Sequence, residues 1–81
     1  MYNSISNIDI YLIISKNIRK YRLASGMTQK ELAVKSGYSY AYIRRMEGPR
    51  CAKNFSIQTL LNISIALNIY IKNLFEKNNI Q

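Results

Sequence analysis

Histidine and tryptophan are absent from this 81-residue sequence, and cysteine and proline occur once each. Acidic residues are also scarce, since Asp and Glu together number four. So few imidazole, thiol and carboxylate groups give no metal-ligand cluster of ordinary spacing and no usual general base or nucleophile–base pair. The composition therefore predicts a protein that is not an enzyme and needs no metal or other cofactor.

The single cysteine, Cys51, excludes an internal disulfide framework and fits a reducing compartment. Its neighbours Arg50 and Lys53 would favour a thiolate, so a redox role is a minor alternative to an incidental cysteine in a loop. Long hydrophobic runs are missing too, because the longest covers only residues 10–14 and is far too short to span a bilayer. The first ten residues have no basic region and do not match an export signal. A cytoplasmic location is the default expectation.

Positive charge is the property that this chain has in excess. Twelve Lys and Arg residues against four acids give a net charge of +8. Ten of the twelve lie between Lys16 and Lys53, where the only acids are Glu31 and Glu47. Such a concentration of positive charge attracts a polyanion, with nucleic acid as the first candidate and an anionic membrane surface as the second. The membrane is disfavoured because the charges are spread over several predicted helices and do not form one amphipathic helix.

Hydrophobic periodicity predicts a single all-α domain of five helices over residues 1–81. Hydrophobic residues make up 48% of the chain and charged residues 20%, which is typical of a folded domain. The first helix is expected from about residue 8 to residue 24, with Asn7 as its N-cap. The last helix is expected to be short, from about residue 71 to residue 77. Residues 1–7 and 78–81 are expected to be flexible ends.

Local signals place two short helices between residues 27 and 47. Thr28 and Glu31 form the pattern of a capping box, in which each side chain accepts a hydrogen bond from the backbone of the other residue. Gly37 suits the left-handed turn that ends this second helix, and Ser39 is the expected N-cap of the third. Two short helices joined at such a corner are typical of a helix-turn-helix.

The third helix is predicted to have one buried face and one exposed basic face. At about 100° per residue, Ile43 and Met46 fall on the same side and are expected to face the core. Ala41 and Arg45 fall on the opposite side, one turn apart, and are expected to point to solvent. Glu47 falls near the buried edge, so its charge is expected to need a partner.

An exposed loop carrying Arg50 and Lys53 is predicted to follow the third helix. Ser56 is the expected N-cap of a fourth helix, and Asn68 tolerates the left-handed conformation at its end. The residues of this helix that are predicted to face inward are Leu60, Ile63 and Leu67.

The run from residue 18 to residue 75 resembles the Cro/repressor-type helix-turn-helix domain, also called XRE or lambda-repressor-like. The resemblance rests on an ordered set of motifs over five helices: Ile18-Arg19 with Arg22, Thr28-Gln29, Glu31-Leu32-Ala33, Gly37, Ser39, Ile43, Glu47-Gly48, Leu60, Ala66, Leu67 and Leu74. It implies a compact DNA-binding domain in which helices 2 and 3 form the helix-turn-helix. The length is similar to that of small controller proteins of restriction-modification operons and of mobile-element repressors.

The resemblance also implies roles for individual residues. Gln29 matches a glutamine that binds the DNA backbone and braces the recognition helix, and Arg22 and Glu47 match an internal ion pair. The positions that meet base edges are matched by Tyr40, Ala41 and Arg45. A bidentate arginine on guanine O6 and N7 gives about 1–3 kcal/mol of discrimination. Residues expected to hold phosphates or sugars without reading sequence are Tyr42, Arg44, Arg50 and Lys53.

One short recognition helix gives limited specificity, so the chain is expected to act as a homodimer on half-sites about 34 Å apart in a roughly palindromic operator. Apolar residues near the C-terminus exceed what one short helix needs, and they are predicted to form the dimer interface: Ile69, Tyr70, Ile71, Leu74 and Phe75. The alternative is that they only close the core of one chain.

The predicted function is sequence-specific binding of double-stranded DNA by a transcription regulator, as a repressor or autoregulator. The alternative is the antitoxin of a toxin–antitoxin module that also binds its own operator. Double-stranded DNA and a second copy of the chain are the expected partners. Neither a membrane nor a small-molecule ligand is expected.

Overall fold

The computed structural model of the protein describes residues 9–48 and 55–77. Within these residues the chain forms four α-helices and one 3-10 helix, and no strand. The helices are α1 (Ile10–Ala24), α2 (Gln29–Ser36), α3 (Tyr40–Glu47) and α4 (Ile57–Leu67), followed by the 3-10 helix (Ile71–Phe75). The predicted all-α class is confirmed. The predictions for the flexible ends 1–7 and 78–81, for Asn7 and for Arg50, Cys51 and Lys53 fall outside the described residues.

Helix α1 begins two residues later than expected. Its N-cap is Asp9, whose Oδ1 accepts hydrogen bonds from the backbone N–H of Tyr11 at 3.1 Å and of Leu12 at 3.2 Å. The predicted start near residue 8 is therefore wrong. The physical reason is that a carboxylate caps a helix as well as an asparagine amide does, and its negative charge also interacts favourably with the helix dipole.

The corner between α2 and α3 forms as the local signals predict. Thr28 Oγ1 accepts from the Glu31 N–H at 3.0 Å, and Glu31 Oε1 accepts from the Thr28 N–H at 2.8 Å, so the capping box is confirmed. Gly37 ends α2 at φ 83°, in the left-handed region that favours glycine. Ser39 Oγ then accepts from the Tyr42 N–H at 3.0 Å and caps α3. This corner fixes the direction in which α3 leaves α2.

The hydrophobic core takes residues from all five helices. Its members are Ile14, Ile18, Leu32, Ala33, Ile43, Met46, Leu60, Ile63, Ala66, Leu67 and Leu74. Ile43 and Met46 are the buried residues of α3, as predicted. Full burial of one such side chain stabilises the fold by about 1.5–3 kcal/mol. These two side chains therefore attach α3 to the core and leave its other face in solvent.

The last helix is a 3-10 helix and not the predicted α-helix. The buried Asn17 of α1 donates both of its Nδ2 hydrogens, to the Leu74 carbonyl at 2.9 Å and to the Glu76 carbonyl at 2.8 Å. At Glu76 the backbone is already extended, with φ −68° and ψ 135°. Because a side chain of α1 takes these carbonyls, the chain leaves the helix after Phe75 and does not continue to residue 77.

Glu76 adds a second connection between this end of the chain and α1. Its Oε1 accepts a hydrogen bond from the Tyr21 hydroxyl, and its Oε2 accepts from Asn73 Nδ2 at 2.8 Å. The hydrogen bond from Tyr21 is the main cause that lowers the pKa of Glu76, and the hydrogen bond from Asn73 is the second. The same bond raises the pKa of Tyr21. The 3-10 helix is thus held to α1 by a carboxamide at one point and by a carboxylate at another.

Asn17→Ala is expected to lower the free energy of unfolding by about 1–3 kcal/mol, because it removes the donor for two carbonyls, of which that of Leu74 is buried. Urea denaturation followed by circular dichroism measures the change. The matched control is Gln58→Ala, which removes an exposed hydrogen bond from Gln58 Nε2 to Asn62 Oδ1 at 3.0 Å and is expected to cost less than about 0.5 kcal/mol. Equal losses in the two variants would contradict the structural role of Asn17.

Candidate nucleic-acid interface

Helix α3 presents a basic face to solvent. Tyr40, Ala41, Arg44 and Arg45 are all exposed, whereas Ile43 and Met46 on the opposite side are buried. The predicted assignment of the two faces of this helix is confirmed. The guanidinium groups of two consecutive arginines are therefore accessible on the helix that projects from the corner.

A buried ion pair fixes the C-terminal end of α3. Arg22 Nε donates to Glu47 Oε2 at 2.7 Å, and Arg22 Nη2 donates to Glu47 Oε1 at 3.0 Å. The two side chains are only 7% and 2% exposed, respectively. Arg22 Nη1 also donates to the Met27 carbonyl at 2.8 Å. The guanidinium of this α1 residue is therefore bonded both to the segment just before α2 and to the end of α3. The two parallel bonds have the fork geometry that arginine and carboxylate favour.

Glu47 also orients two residues at the surface. Gln29, in the first turn of α2, donates from Nε2 to Glu47 Oε1 at 3.2 Å. Arg19 Nη1 lies 3.9 Å from the same oxygen, although the Arg19 side chain is 58% exposed. Gln29 is thereby held against the end of α3, which is the bracing part of its predicted role. Its contact with the DNA backbone stays a prediction.

A shallow concave surface lies where α1, α2 and α3 meet. It is lined by Arg19, Arg22, Thr28, Gln29, Lys30 and Tyr40. Arg19 and Lys30 were not among the predicted contact residues, although both are exposed and basic. Both contacts could have been predicted from the sequence, because Lys30 follows Gln29 in the first turn of α2 and Arg19 precedes Arg22 by about one turn. The N-terminus of α2 adds its positive helix dipole to this surface.

The two tyrosines of α3 have different surroundings. Tyr40 is 40% exposed and lies beside Lys30 and Arg44, whose cationic groups are 5.3 Å and 5.5 Å from the centre of its ring. Tyr42 is half-buried and packs against the core and against the ring of Tyr38. The sequence predicts contact with base edges for Tyr40 and contact with phosphates or sugars for Tyr42. The structure places Tyr40 on the basic surface and Tyr42 at its edge.

A second candidate surface lies on α4 and the residues after it, and we call it the α4 surface. A shallow apolar groove there is lined by Leu61, Ser64, Ile65, Ile69, Tyr70, Ile71 and Lys72. Ile65 is 65% exposed and Tyr70 is 76% exposed, while Ile69 and Ile71 are half-buried. Leu61 and Ile65 were not predicted, although their spacing of four residues places them on one stripe of α4.

Two other residues predicted for the dimer interface differ from each other. Phe75 is 38% exposed, so part of its ring is accessible. Leu74 is fully buried in its own chain and is not available to a second one, so the prediction is corrected at this position. The physical reason is that Leu74 fills the core between the 3-10 helix and α1, where Asn17 fixes its carbonyl.

Residues 9–48 and 55–77 contain neither a membrane-spanning helix nor a cluster of metal ligands. No helix in these ranges is both long enough and apolar enough to cross a bilayer. In the same ranges, His, Cys, Asp and Glu side chains do not come together in groups of three or more that could hold a metal ion.

The sequence pattern of one family matches most of the chain. The model of the family described as helix-turn-helix matches residues 18–74, from the middle of α1 to the 3-10 helix. The chain belongs to this helix-turn-helix family, of the Cro/repressor type. It is therefore a DNA-binding transcription regulator. The match contains both the corner between α2 and α3 and the ion pair that supports it.

Known proteins of this kind are similar to the chain in sequence and in structure. The control protein C.SmaI of Serratia marcescens is 33% identical over 70 residues, which cover 86% of this chain and 81% of that protein. The restriction-modification controller protein C.AhdI of Aeromonas hydrophila superposes with a TM-score of 0.73 at 31% identity, over 80% of this chain and 96% of its own. SinR, a master regulator for biofilm formation solved in complex with DNA, superposes with a TM-score of 0.71 at 32% identity, over 78% and 98% of the two chains.

Arg22→Met is expected to lower the free energy of unfolding by about 3–5 kcal/mol, because Glu47 is then buried without its bidentate partner. The double variant Arg22→Met/Glu47→Leu is expected to recover part of this loss, since no charge remains buried. Urea denaturation of both variants measures the difference.

The control for this ion pair is Arg19→Met, which removes a longer contact to the same carboxylate from an exposed side chain. It is expected to cost less than about 1 kcal/mol. A double variant that is no more stable than Arg22→Met alone would show that Glu47 does not depend on Arg22.

Proposed function

We propose that this protein is a sequence-specific repressor or autoregulator that binds double-stranded DNA as a homodimer on a roughly palindromic operator. The single observation that carries the proposal is the exposed basic face of α3, which the buried Arg22–Glu47 pair holds in a fixed position. A helix of this kind fits the major groove of B-DNA, where base pairs present distinct patterns of donors and acceptors. Binding to the operator takes place in the cytoplasm in this proposal.

Base reading is assigned to the middle of α3. Arg45 can donate two parallel hydrogen bonds to guanine O6 and N7, and the small side chain of Ala41 lets the helix approach a thymine methyl group. Tyr40 is sufficiently exposed to reach a base edge or a sugar. These are the three residues that the family resemblance assigns to base contact.

Phosphate binding is assigned to the concave surface beside α3. Gln29 and Lys30 lie in the first turn of α2, and Arg19 reaches the same surface from α1. Backbone N–H groups at the start of α2 and α3 add fixed positive dipoles, which favour phosphate. Arg44 is exposed on α3 and is assigned to phosphate contact, as are Arg50 and Lys53, which lie outside the described residues. Tyr42 at the edge of the face keeps its predicted backbone contact in this proposal.

Dimerisation is assigned to the α4 surface. Its exposed apolar side chains, led by Ile65 and Tyr70, lie on elements other than the recognition helix, so one chain can bind a second and DNA together. Two copies related by a twofold axis present two recognition helices, which matches half-sites about 34 Å apart.

Relatives favour the control of restriction-modification genes as the regulatory context. C.SmaI is a control protein and C.AhdI is a restriction-modification controller, and each matches at least four-fifths of its own length. We propose the same context here and favour it over the antitoxin alternative. The bound sites are then expected to lie upstream of the gene for this protein and of neighbouring modification or restriction genes.

Arg45→Ala is expected to relax the preference for guanine at one base pair in each half-site and to lower specific affinity by about 5- to 150-fold, the equivalent of about 1–3 kcal/mol. Binding to unrelated duplex DNA is expected to change far less. Selection of bound sequences from random duplexes, followed by fluorescence anisotropy on the selected site, measures both effects.

The matched comparison for Arg45 uses two lysines. Lys30→Ala is expected to weaken binding to all sequences alike and to reduce the salt slope by about one unit per site, as for a phosphate contact. Lys77→Ala removes an equal charge from an exposed position beyond the 3-10 helix and is expected to leave the slope unchanged. If Arg45→Ala retains the wild-type base preference, α3 does not read sequence in the way proposed.

Ile65→Asp/Tyr70→Asp is expected to convert the dimer to a monomer, because each substitution places a charge in an apolar interface. The affinity for a two-half-site operator is expected to fall with it, while the fold is retained because both side chains are largely exposed. Sedimentation velocity gives the oligomeric state.

Ile57→Asp is the control, since Ile57 lies on the same helix and is 69% exposed but does not line the α4 surface. If the dimer survives the double substitution but not Ile57→Asp, the interface lies elsewhere on α4.

A further inference from the structure

The paired arginines of α3 each lie over the ring of a tyrosine on the same helix. The Arg44 guanidinium carbon is 5.5 Å from the centre of the Tyr40 ring, and that of Arg45 is 5.8 Å from the centre of the Tyr42 ring. A guanidinium within about 6 Å of a tyrosine ring centre is attracted electrostatically by the π-system. Both side chains therefore have a preferred resting place before any DNA is bound.

The Tyr42 ring is itself held by a second aromatic residue. It stacks on the ring of Tyr38 with centroids 5.1 Å apart and planes tilted by 30°. Both rings are half-buried, and both pack against the hydrophobic core. An offset aromatic pair at this distance is an attractive arrangement and restricts the motion of both rings.

Two hydrogen bonds with side chains of α4 anchor Tyr38 in turn. The Tyr38 hydroxyl donates to Thr59 Oγ1 at 3.3 Å and accepts from Asn62 Nδ2 at 3.0 Å. Thr59 is buried and Asn62 is half-buried, so these partners are themselves ordered. A continuous series of contacts thus runs from α4 through Tyr38 and Tyr42 to the guanidinium of Arg45.

The surroundings of Arg44 provide a contrast within the same helix. Tyr40 is 40% exposed, and its ring is shared between Arg44 and the exposed Lys30. An exposed ring that is shared between two cations restricts the position of each cation only weakly. A half-buried ring that packs on a second aromatic residue restricts its cation more strongly. The structure therefore gives the two arginines, which the sequence already assigns to different contacts, different surroundings as well.

We propose that Tyr42, held by Tyr38, is a positioning residue for Arg45 and so contributes to base specificity without itself reading a base. The inference rests on the proposed function of α3. A bidentate contact with guanine requires the plane of the guanidinium to align with the base edge. An arginine that already rests over a fixed ring has fewer rotamers to lose on binding, and more of its hydrogen-bond energy appears as discrimination.

The experiment compares Tyr42→Leu, which removes the ring, with Tyr42→Phe, which keeps it, and with Tyr40→Leu as the matched ring deletion beside Arg44. Tyr42→Leu is expected to lower the ratio of specific to nonspecific affinity by about two- to fivefold, as for a surface cation–π contact. The base pair affected is the one at which Arg45→Ala relaxes the preference. Tyr42→Phe is expected to keep the wild-type ratio. Tyr40→Leu is expected to lower affinity through the loss of its own contact, but to keep the preference at the base pair that Arg45 reads.

A double-mutant cycle separates positioning from direct contact. In an Arg45→Ala background, Tyr42→Leu is expected to cause no further loss of specificity. An equal loss of specificity in both backgrounds, or a loss in Tyr42→Phe as large as in Tyr42→Leu, would overturn the inference, because Tyr42 would then read a base in its own right. If Arg45→Ala relaxes the base preference and Tyr42→Leu does not, only the positioning role fails. If Arg45→Ala has no effect, the assignment of base reading to Arg45 fails with it.

A measurement without DNA tests the same inference independently. The NMR order parameter of the Arg45 Nε–H group in the free protein is expected to fall in Tyr42→Leu and to stay unchanged in Tyr40→Leu. If Tyr42→Leu does not fold, Tyr38→Phe is used, since it keeps the stacked ring and removes its two hydrogen bonds to α4. A smaller fall of the same order parameter is expected there. Wild-type mobility of Arg45 in the variant that is measured would overturn the proposal.

Discussion

The position of the recognition helix depends on the carboxylate of Glu47. This group is the last side chain of α3, and it accepts hydrogen bonds from Arg22 of α1 and from Gln29 of α2. Ile43 and Met46 attach the helix to the core, but hydrophobic contact is non-directional and allows small rotations of the helix. A buried charge with a bidentate partner allows far less, since any rotation leaves it unpaired in a medium of low dielectric constant. The ion pair therefore fixes the orientation of α3, and the buried side chains hold the helix to the core.

The same arrangement explains why the surface around α3 is so positive. Glu31 and Glu47 are the only acids between Lys16 and Lys53, and neither is free to neutralise an exposed cation fully. Glu31 accepts the backbone N–H of Thr28 in the capping box, and Glu47 lies buried against Arg22. The exposed lysines and arginines of α2 and α3 thus keep most of their charge toward solvent. Steering of a polyanion follows from this distribution more than from the net charge alone.

Much of the fold was predictable because it is encoded locally. The capping box at Thr28, the left-handed Gly37 and the two faces of α3 need only a few consecutive residues, and all are present. The predictions fail where contacts between residues distant in the sequence determine the local structure. The last helix ends after Phe75 because Asn17 bonds to a carbonyl 57 residues away, and no local pattern reports that contact. The different surroundings of Tyr40 and Tyr42 likewise depend on what α2 and α4 place beside each ring. At α1, by contrast, Asn7 and Asp9 are two residues apart and both suit an N-cap, and local signals do not rank Asn above Asp.

Helix α4 connects the two surfaces of the protein. Its N-terminal half holds the Tyr38 hydroxyl through Thr59 and Asn62, beside α3, while Ile65 and the residues after it form the α4 surface. Leu60, Ile63 and Leu67 on its third face are buried in the core, so the helix cannot shift relative to either surface without disturbing close packing. In a dimer formed through the α4 surface, the separation of the two recognition helices would then be set by the rigid geometry of α4 and not by a flexible linker. Such a dimer discriminates among half-site spacings as well as among base pairs, because a wrong spacing cannot be accommodated by hinge motion.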